Sequence, residues 1–333
     1  MDENQSPRAA RNAAKSRRVA KDLTRTLSLL RATLDSTADG LLVVDRAGKI
    51  EIFNRKFAEM WRIPEEILAT KDDRQALDFV LQQLEDHHQF LTKVRELYSQ
   101  PEAESFDVLK FKDGRVFERY SQPQWIGGEI VGRVWSFRDV TARARAEEAV
   151  RREHSFVRLL QAVAVAANEA RTVEDAFLHC LDRICTHTGW PVGHVYFAGE
   201  DLTGDLVPSK LWHMDDPLRY EVFRRVTEAT RLAPGVGLPG RVLATHKPAW
   251  IVDVRNDPNF PRAGMAYDIG LRAGFGFPVV VGTEVVAVLE FFAPEPVAPD
   301  EALLDVMVHV GTQLGRVIER KRAGARPSGS VRA

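Results

Sequence analysis

From Val19 the apolar positions fall at Leu23, Leu27, Leu30 and Leu34. Those steps of four, four, three and four predict a helix over residues 19–35 with a narrow seam suited to a partner helix. At Ser36 the period shortens. GLLVVD, a turn at Arg46-Ala47-Gly48 and KIEIF read as a tight hairpin. Helical spacing returns around Asn54 to Trp61 and from Gln75 to Tyr98. Three strand-like runs follow, SFDVLKF, RVFERYSQP and IVGRVWSFRD, separated by Lys112-Asp113-Gly114 and Gly127-Gly128. Two strands, helices, then three strands predict an antiparallel sheet with helices over one face, an α+β domain over residues 36–140.

Thr141 reads as the cap of a long connector helix over residues 141–163. Its seam is Ala142, Ala146, Ala149, Phe156, Leu160 and Val163. A second α+β unit follows over residues 155–320. Its signals are a helix from Thr172 to His187, strands around His194 to Ala198 and Leu206 to Trp212, and a helix from Pro217 to Thr230. GVGLPGRV leads into a short helix from Leu238 to Thr245, the strand AWIVD and the irregular loop DPNFPRA. GFGFPVVV and EVVAVLEFFA then form a hairpin around Gly282-Thr283. A final helix carries Leu303, Met307, Val310, Leu314 and Val317 at four-three spacing, a third heptad seam.

Composition narrows the class. With 333 residues, 44% apolar and 28% charged, the chain is an ordinary core-forming protein of about two domains. The net charge is -1, but both ends are basic, so residues 26–319 carry an acid excess. That excess argues against nucleic acid as a partner, because phosphate affinity needs clustered Lys and Arg. Residues 1–18 and 321–333 read as basic, disordered tails. Cys180 and Cys185 are too few for a disulfide framework and lack companions for zinc, so both are expected as buried, reduced thiols. The start has no apolar core of the signal-peptide kind, and no apolar run reaches a membrane span. A cytoplasmic protein is expected.

The residues ADGLLVVDRAGKIEIFNRKFAEMW, GRVFERYSQP and GRVWSFRDVT resemble a PAS sensory domain, including the closing Asp-Val-Thr of its joint to a following domain. GVGLPGRVLATHKPAWIVDV, DPNFPRA, GLRAGFGFPVVVG and VVAVLEFFA resemble a GAF domain. The pair resembles the sensory half of bacterial histidine kinases and cyclic-dinucleotide signalling proteins. Neither a kinase's phosphoacceptor motif and ATP lid nor a cyclase's Gly-Gly-Asp/Glu loop is found, and His154 reads as an exposed helical histidine. The glycines of GVGLPGRV fit neither dinucleotide nor P-loop spacing, so turn formation is the better reading.

The resemblance implies signal sensing with no catalytic residues in this chain. Candidate pocket residues in the first domain are Phe53, Phe57, Trp61, Phe79, Phe90 and Trp135, with Arg119 and Tyr120 as polar anchors. In the second they are Trp212, Trp250, Phe260, Phe275 and Phe277. Such pockets are mostly apolar with few polar anchors. Packing alone would also account for these aromatics. The cofactor is unknown. His87 and His88 lie where haem-binding relatives place a ligand. A covalent flavin is not expected without a PAS cysteine, nor a bilin with Cys180 and Cys185 on an early GAF helix. No metal site is expected.

Partners implied are a second copy of the chain, an unknown small molecule, and a separate kinase, cyclase or regulator. The dimer seam is expected from Leu23, Leu27, Leu30 and Leu34 and from Leu303, Met307, Val310, Leu314 and Val317. The signal joint is Asp139-Val140-Thr141. The resemblance implies that Asp139 pairs with a basic residue, Arg46 or Lys49 being placed for it, while helix capping is the simpler alternative. Two other functions stay open: the sensory part of a kinase or cyclic-dinucleotide enzyme whose output domain is absent, and a structural dimerisation adaptor.

Overall fold

The computed structural model describes residues 6–70, 73–199, 204–264 and 269–325. The chain divides into two compact units, residues 1–149 and 150–333. Each is described by itself.

In the first unit, α1 (Ser6–Asp35) is one continuous helix. The stretch expected to be a tail is therefore helical from Ser6, because its alanines, arginines and lysines are good helix formers and their charge does not offset that. Residues 1–5, and 326–333 of the second expected tail, lie outside the described residues. Two strands, β1 (Gly40–Asp45) and β2 (Ile50–Phe53), form the expected hairpin. Asp45 Oδ1 closes the turn by accepting from Ala47 N and Lys49 N at 2.8 and 2.9 Å.

Asn54 then caps α2 (Arg55–Trp61) by accepting from Phe57 N at 2.9 Å. Its amide nitrogen also donates to the carbonyls of Leu34 and Asp39, both at 2.9 Å, which ties the end of α1 to the hairpin. Helices α3 (Glu65–Thr70), α4 (Asp73–Leu81) and α5 (His87–Ser99) follow. The helix expected from Gln75 to Tyr98 is thus two helices. Leu84 bridges to Phe111, and Asp86 restarts the helix by accepting from Gln89 N at 2.8 Å.

Strands β3 (Ser105–Lys110), β4 (Val116–Ile126) and β5 (Glu129–Asp139) complete an antiparallel sheet in the order β2-β1-β5-β4-β3. Strand alternation sends Phe117, Trp135 and Phe137 into the core with Phe57 and Trp61. The same alternation leaves Ile52, Phe106, Val108 and Tyr120 about half exposed on the opposite face.

Helix α6 (Thr141–Glu169) has residues in both units and runs past the expected end at 163. In the second unit its Leu159, Val163 and Ala167 are buried, whereas Ala142, Ala146 and Ala149 in the first unit are exposed. Helix α7 (Val173–Thr188) opens on a reciprocal capping box between Thr172 and Asp175 and closes at Gly189 in the left-handed region. Next come β6 (Val192–Ala198), β7 (Leu206–Met214), α8 (Glu221–Glu228) and α9 (Gly237–Thr245). Helix α8 begins later than expected because Asp216 Oδ1 accepts from Leu218 N and Arg219 N, holding a turn there.

Strands β8 (Ala249–Ile251), β9 (Ala273–Val281) and β10 (Glu284–Ala293) give a second antiparallel sheet, β7-β6-β10-β9-β8. Helix α10 (Glu301–Ala325) ends the described chain. Its seam corrects a sequence expectation. Leu303, Met307, Val310, Leu314 and Val317 are at most 5% exposed and belong to the unit's own core, with Phe177, Phe275 and Phe277. They are not free for a partner. Gly311 and Gly315 allow this: a Cβ at either would lie 2.1 or 2.0 Å from the carbonyl oxygen of Pro278 or Val280, so the helix rests directly on β9. No helix among the described residues is long and apolar enough to cross a membrane.

Candidate functional site

The first unit holds a small cavity of about 60 Å³ between its sheet and helices. Phe57, Trp61, Val80, Phe90, Trp135 and Phe137 are among its walls. Trp61 fills the centre of the aromatic core, with ring centroids 5.1 Å from both Phe111 and Phe137. Its buried Nε1 has no hydrogen-bond partner. Arg119, 1% exposed, places its guanidinium 4.5 and 5.2 Å from the ring centroids of Phe90 and Trp135, two of those walls. Nε donates to Asp107 Oδ1 at 2.8 Å and Nη2 pairs with Oδ2, leaving Nη1 buried without a partner. An apolar cavity lined by Trp61, whose N–H is unsatisfied, can take a small molecule that offers an acceptor.

Of the residues expected here, Phe57, Trp61, Phe90 and Trp135 meet at the cavity and Arg119 sits behind two of them. Phe53 and Phe79 pack at the core's margin. Tyr120 is corrected: it follows Arg119 along β4, so it points to the other face, 49% exposed against Phe106. His87 and His88 start α5, are exposed and lie ring to ring at 4.5 Å. Neither faces the cavity, which is far too small for a macrocycle, so these residues do not fit haem.

The joint departs from its expected pairing. Asp139 Oδ1 accepts from Thr141 N at 2.9 Å and from Thr141 Oγ1 at 2.5 Å, and Thr141 Oγ1 accepts from Val116 N at 3.0 Å. Val140 is buried. Arg46 donates to the Ile130 carbonyl, and the backbone N–H of Lys49 is held by Asp45. Asp139 is therefore a cap. Ion pairs around the joint include Arg138 with Asp39, bidentate at 2.8 and 2.9 Å, and Arg143 with Glu118.

In the second unit the expected aromatics do not converge. Trp250, Phe275 and Phe277 face the core under α7 and α10, whereas Trp212 and Phe260 lie on the other side of the sheet with α8 and α9. That second side encloses a polar cluster. Glu290 on β10 is fully buried; it accepts from Arg262 Nη1 and Nη2 at 2.9 and 2.6 Å, and Nη1 also donates to Thr227 Oγ1 at 2.8 Å. His194, opposite Glu290 on β6, directs Nδ1 at its Oε1 across 3.3 Å and Nε2 at the Ser209 carbonyl across 3.1 Å. The Trp212 ring stacks on the imidazole at 3.9 Å.

Burial by itself would raise the Glu290 pKa, but the adjacent guanidinium and the His194 contact outweigh it and hold the carboxyl below its usual range. Arg262 Nε and Tyr196 Oη are buried here without partners. Such a cluster can fix strand positions. Sequence reasoning missed it. The available signal was a charge inside an apolar run, Glu290 in EVVAVLEFFA and His194 in GHVYFA, since a buried charge requires a partner. Cys180 and Cys185 are unpaired and buried among the α7 side chains. No group of three or more His, Cys, Asp or Glu residues among those described could hold a metal ion.

Residues 34–148 match the family model described as the PAS fold, and residues 170–319 match that described as the GAF domain. No curated protein matches the chain. Among solved structures, the GAF domain of a phosphoenolpyruvate-protein phosphotransferase from Coxiella burnetii is similar at 18% identity, TM-score 0.44, over 51% of this chain and 96% of that one. A free methionine-R-sulfoxide reductase from Neisseria meningitidis is similar at 14% identity, TM-score 0.43, over 51% and 92%. The fRMsr of Staphylococcus aureus in complex with substrate is similar at 10% identity, TM-score 0.40, over 49% and 95%. The expectation that the chain is no enzyme is corrected by these reductases among the similar structures.

Proposed function

We propose that this chain, which carries a PAS fold followed by a GAF domain, is a cytoplasmic signal-sensing protein whose first unit takes a small, largely apolar ligand. The observation that carries the reading is the apolar cavity with the unpartnered Trp61 N–H in its wall. A volume near 60 Å³ compares with about 30 Å³ per water in the liquid. The guest is therefore a molecule of a few heavy atoms with one hydrogen-bond acceptor. Occupancy would alter how Trp135 and Phe137 sit on β5, the strand that leads into α6. Helix α6 has residues in both units, which makes it the shared element through which a change would travel. Self-association through the exposed α1 seam, and control of a separate kinase, cyclase or regulator, complete the reading.

Native mass spectrometry and thermal shift with small acceptors such as acetone and dimethyl sulfoxide, or with xenon as an apolar probe, test it. Binding should raise the melting temperature of the wild type. Ala76→Phe, which fills the cavity from α4, should abolish the rise, and Trp61→Phe should weaken the response to acceptors but not to xenon. A response that survives Ala76→Phe would overturn the assignment.

A further inference from the structure

Among the described residues on the strands of the first unit, the most exposed large apolar side chains are Trp125 and Ile126, at 55% and 63%. They end β4 at the Gly127-Gly128 turn, where both glycines take positive φ and close the hairpin. Beside this tip lies an open groove of about 890 Å³, walled by the β1–β2 turn, the end of α5 with the residues after it, and the start of β5. It is distinct from the internal cavity. Tyr98 is the one wall residue that the two have in common.

The charges along the groove decide what it attracts. Arg133 lines it but is 3% exposed, and both of its terminal nitrogens are engaged. Nη1 donates to Ala103 O and Ser121 Oγ, both at 2.9 Å, and Nη2 donates to the carbonyls of Leu97, Gln100 and Pro101 at 3.2, 3.3 and 3.0 Å. That guanidinium ties down the end of α5 and leaves no Nη donor for an anion. Arg46, the exposed cation of the rim, directs Nε to the Ile130 carbonyl. Against it stand Asp45, Glu102 and Glu129. Glu102 and Glu129 are exposed, and neither side chain has an ion-pair or hydrogen-bond partner among the described residues.

We propose that this groove and the hairpin tip dock a cationic segment of a partner protein, its apolar side chains on Trp125 and Ile126 and its Lys or Arg side chains beside Glu102 and Glu129. This gives a surface to the control of a separate protein proposed above and rests on that reading. Tryptophan is enriched among the few residues that carry most of an interface's binding energy, and such anchors are ringed by a polar rim. Ile126 lies outside the groove walls, so an occupant that covers both groove and tip is larger than a small molecule seated in the groove. The free carboxylates favour a basic partner and repel phosphate, which turns away nucleic acid and anionic membranes alike. Strand β5 contributes Ile130 and Arg133 to the groove and Trp135 and Phe137 to the internal cavity. Docking and ligand occupancy therefore bear on the same strand.

Selection of displayed random heptapeptides on the full chain, with titration of the recovered peptides by fluorescence anisotropy, tests this. The peptides should be rich in Lys or Arg and carry Leu or an aromatic residue, and their binding should weaken as salt rises. Trp125→Ala and, separately, Glu102→Lys/Glu129→Lys should each weaken binding about tenfold or more, with circular dichroism and melting temperature unchanged. Peptides that bind both variants as tightly as the wild type overturn this assignment alone and put the partner's surface elsewhere. Recovered peptides of acidic or uncharged composition overturn the cationic partner. A selection that returns no peptide overturns both the docking surface and the control of a separate protein beneath it.

Discussion

Replacing Arg262 by Met is the most demanding test of the GAF interior. The side chain is 2% exposed and makes two hydrogen-bonded contacts with Glu290, which is 0% exposed. Removing one partner of a buried ion pair leaves a stranded charge, which costs about 3–5 kcal/mol. His194, 3.3 Å from Oε1, softens the loss, so the expected figure is the lower end, ~3 kcal/mol. Removing both charges in Arg262→Met/Glu290→Met should return stability to within about 2 kcal/mol of wild type, because an apolar pair of similar volume has no charge to desolvate.

The sign of the pH response separates this from ordinary loss of packing. In the wild type the Glu290 pKa is held down, so its contribution is present above the ordinary Glu value near ~4.3 and is lost as pH falls below it. Without Arg262, burial pushes the same carboxyl up, so protonation relieves the stranded charge. The deficit of Arg262→Met should therefore shrink as pH falls from 7 to 5. Hydrogen exchange at the β6 and β10 amides reads this unit directly, with urea unfolding as the second measure. A deficit below ~1 kcal/mol at pH 7 that does not change with pH would refute the reasoning.

Gly315→Ala should destabilise by more than about 2 kcal/mol, despite the roughly 1 kcal/mol that alanine gains in a helix, since its Cβ would lie 2.0 Å from Val280 O; a stabilised variant in thermal melts would show that α10 does not rest on β9. Asp139→Ala should lose about 1 kcal/mol as a cap and speed amide exchange only over the first turn of α6; loss of exchange protection throughout residues 142–163 would show that Asp139 does more than cap the helix. Burial pushes both thiols of Cys180 and Cys185 above their usual range, so thiolate is scarce at pH 8 and a disulfide reagent should label neither cysteine until urea is added. Stoichiometric labelling of the folded chain within minutes would contradict that placement.

Much of the architecture is legible in local patterns, because hairpins, caps and alternation are local matters. Asp45 with Gly48, Thr172 with Asp175 and the alternating run of β4 each specify their element from a few neighbouring residues. The break between α4 and α5 was not legible. It depends on Leu84 meeting Phe111, which lies far along the chain. The heptad seams show the same division. Spacing alone marks α1 and α10 as equally amphipathic, yet one seam is exposed and the other lines a core, because only the fold brings β9 beneath Gly311 and Gly315. Likewise, aromatic content announced two apolar interiors, but sheet pairing decided that Arg119 faces inward and Tyr120 outward, and that Phe277 and Phe260 lie on opposite sides. Sequence alone determined the elements and their apolar faces, for these follow from backbone geometry repeated every few residues. Tertiary structure decided which faces meet and joined His194, Arg262 and Glu290 into one network, since a buried charge is tolerated only where distant segments supply its partner.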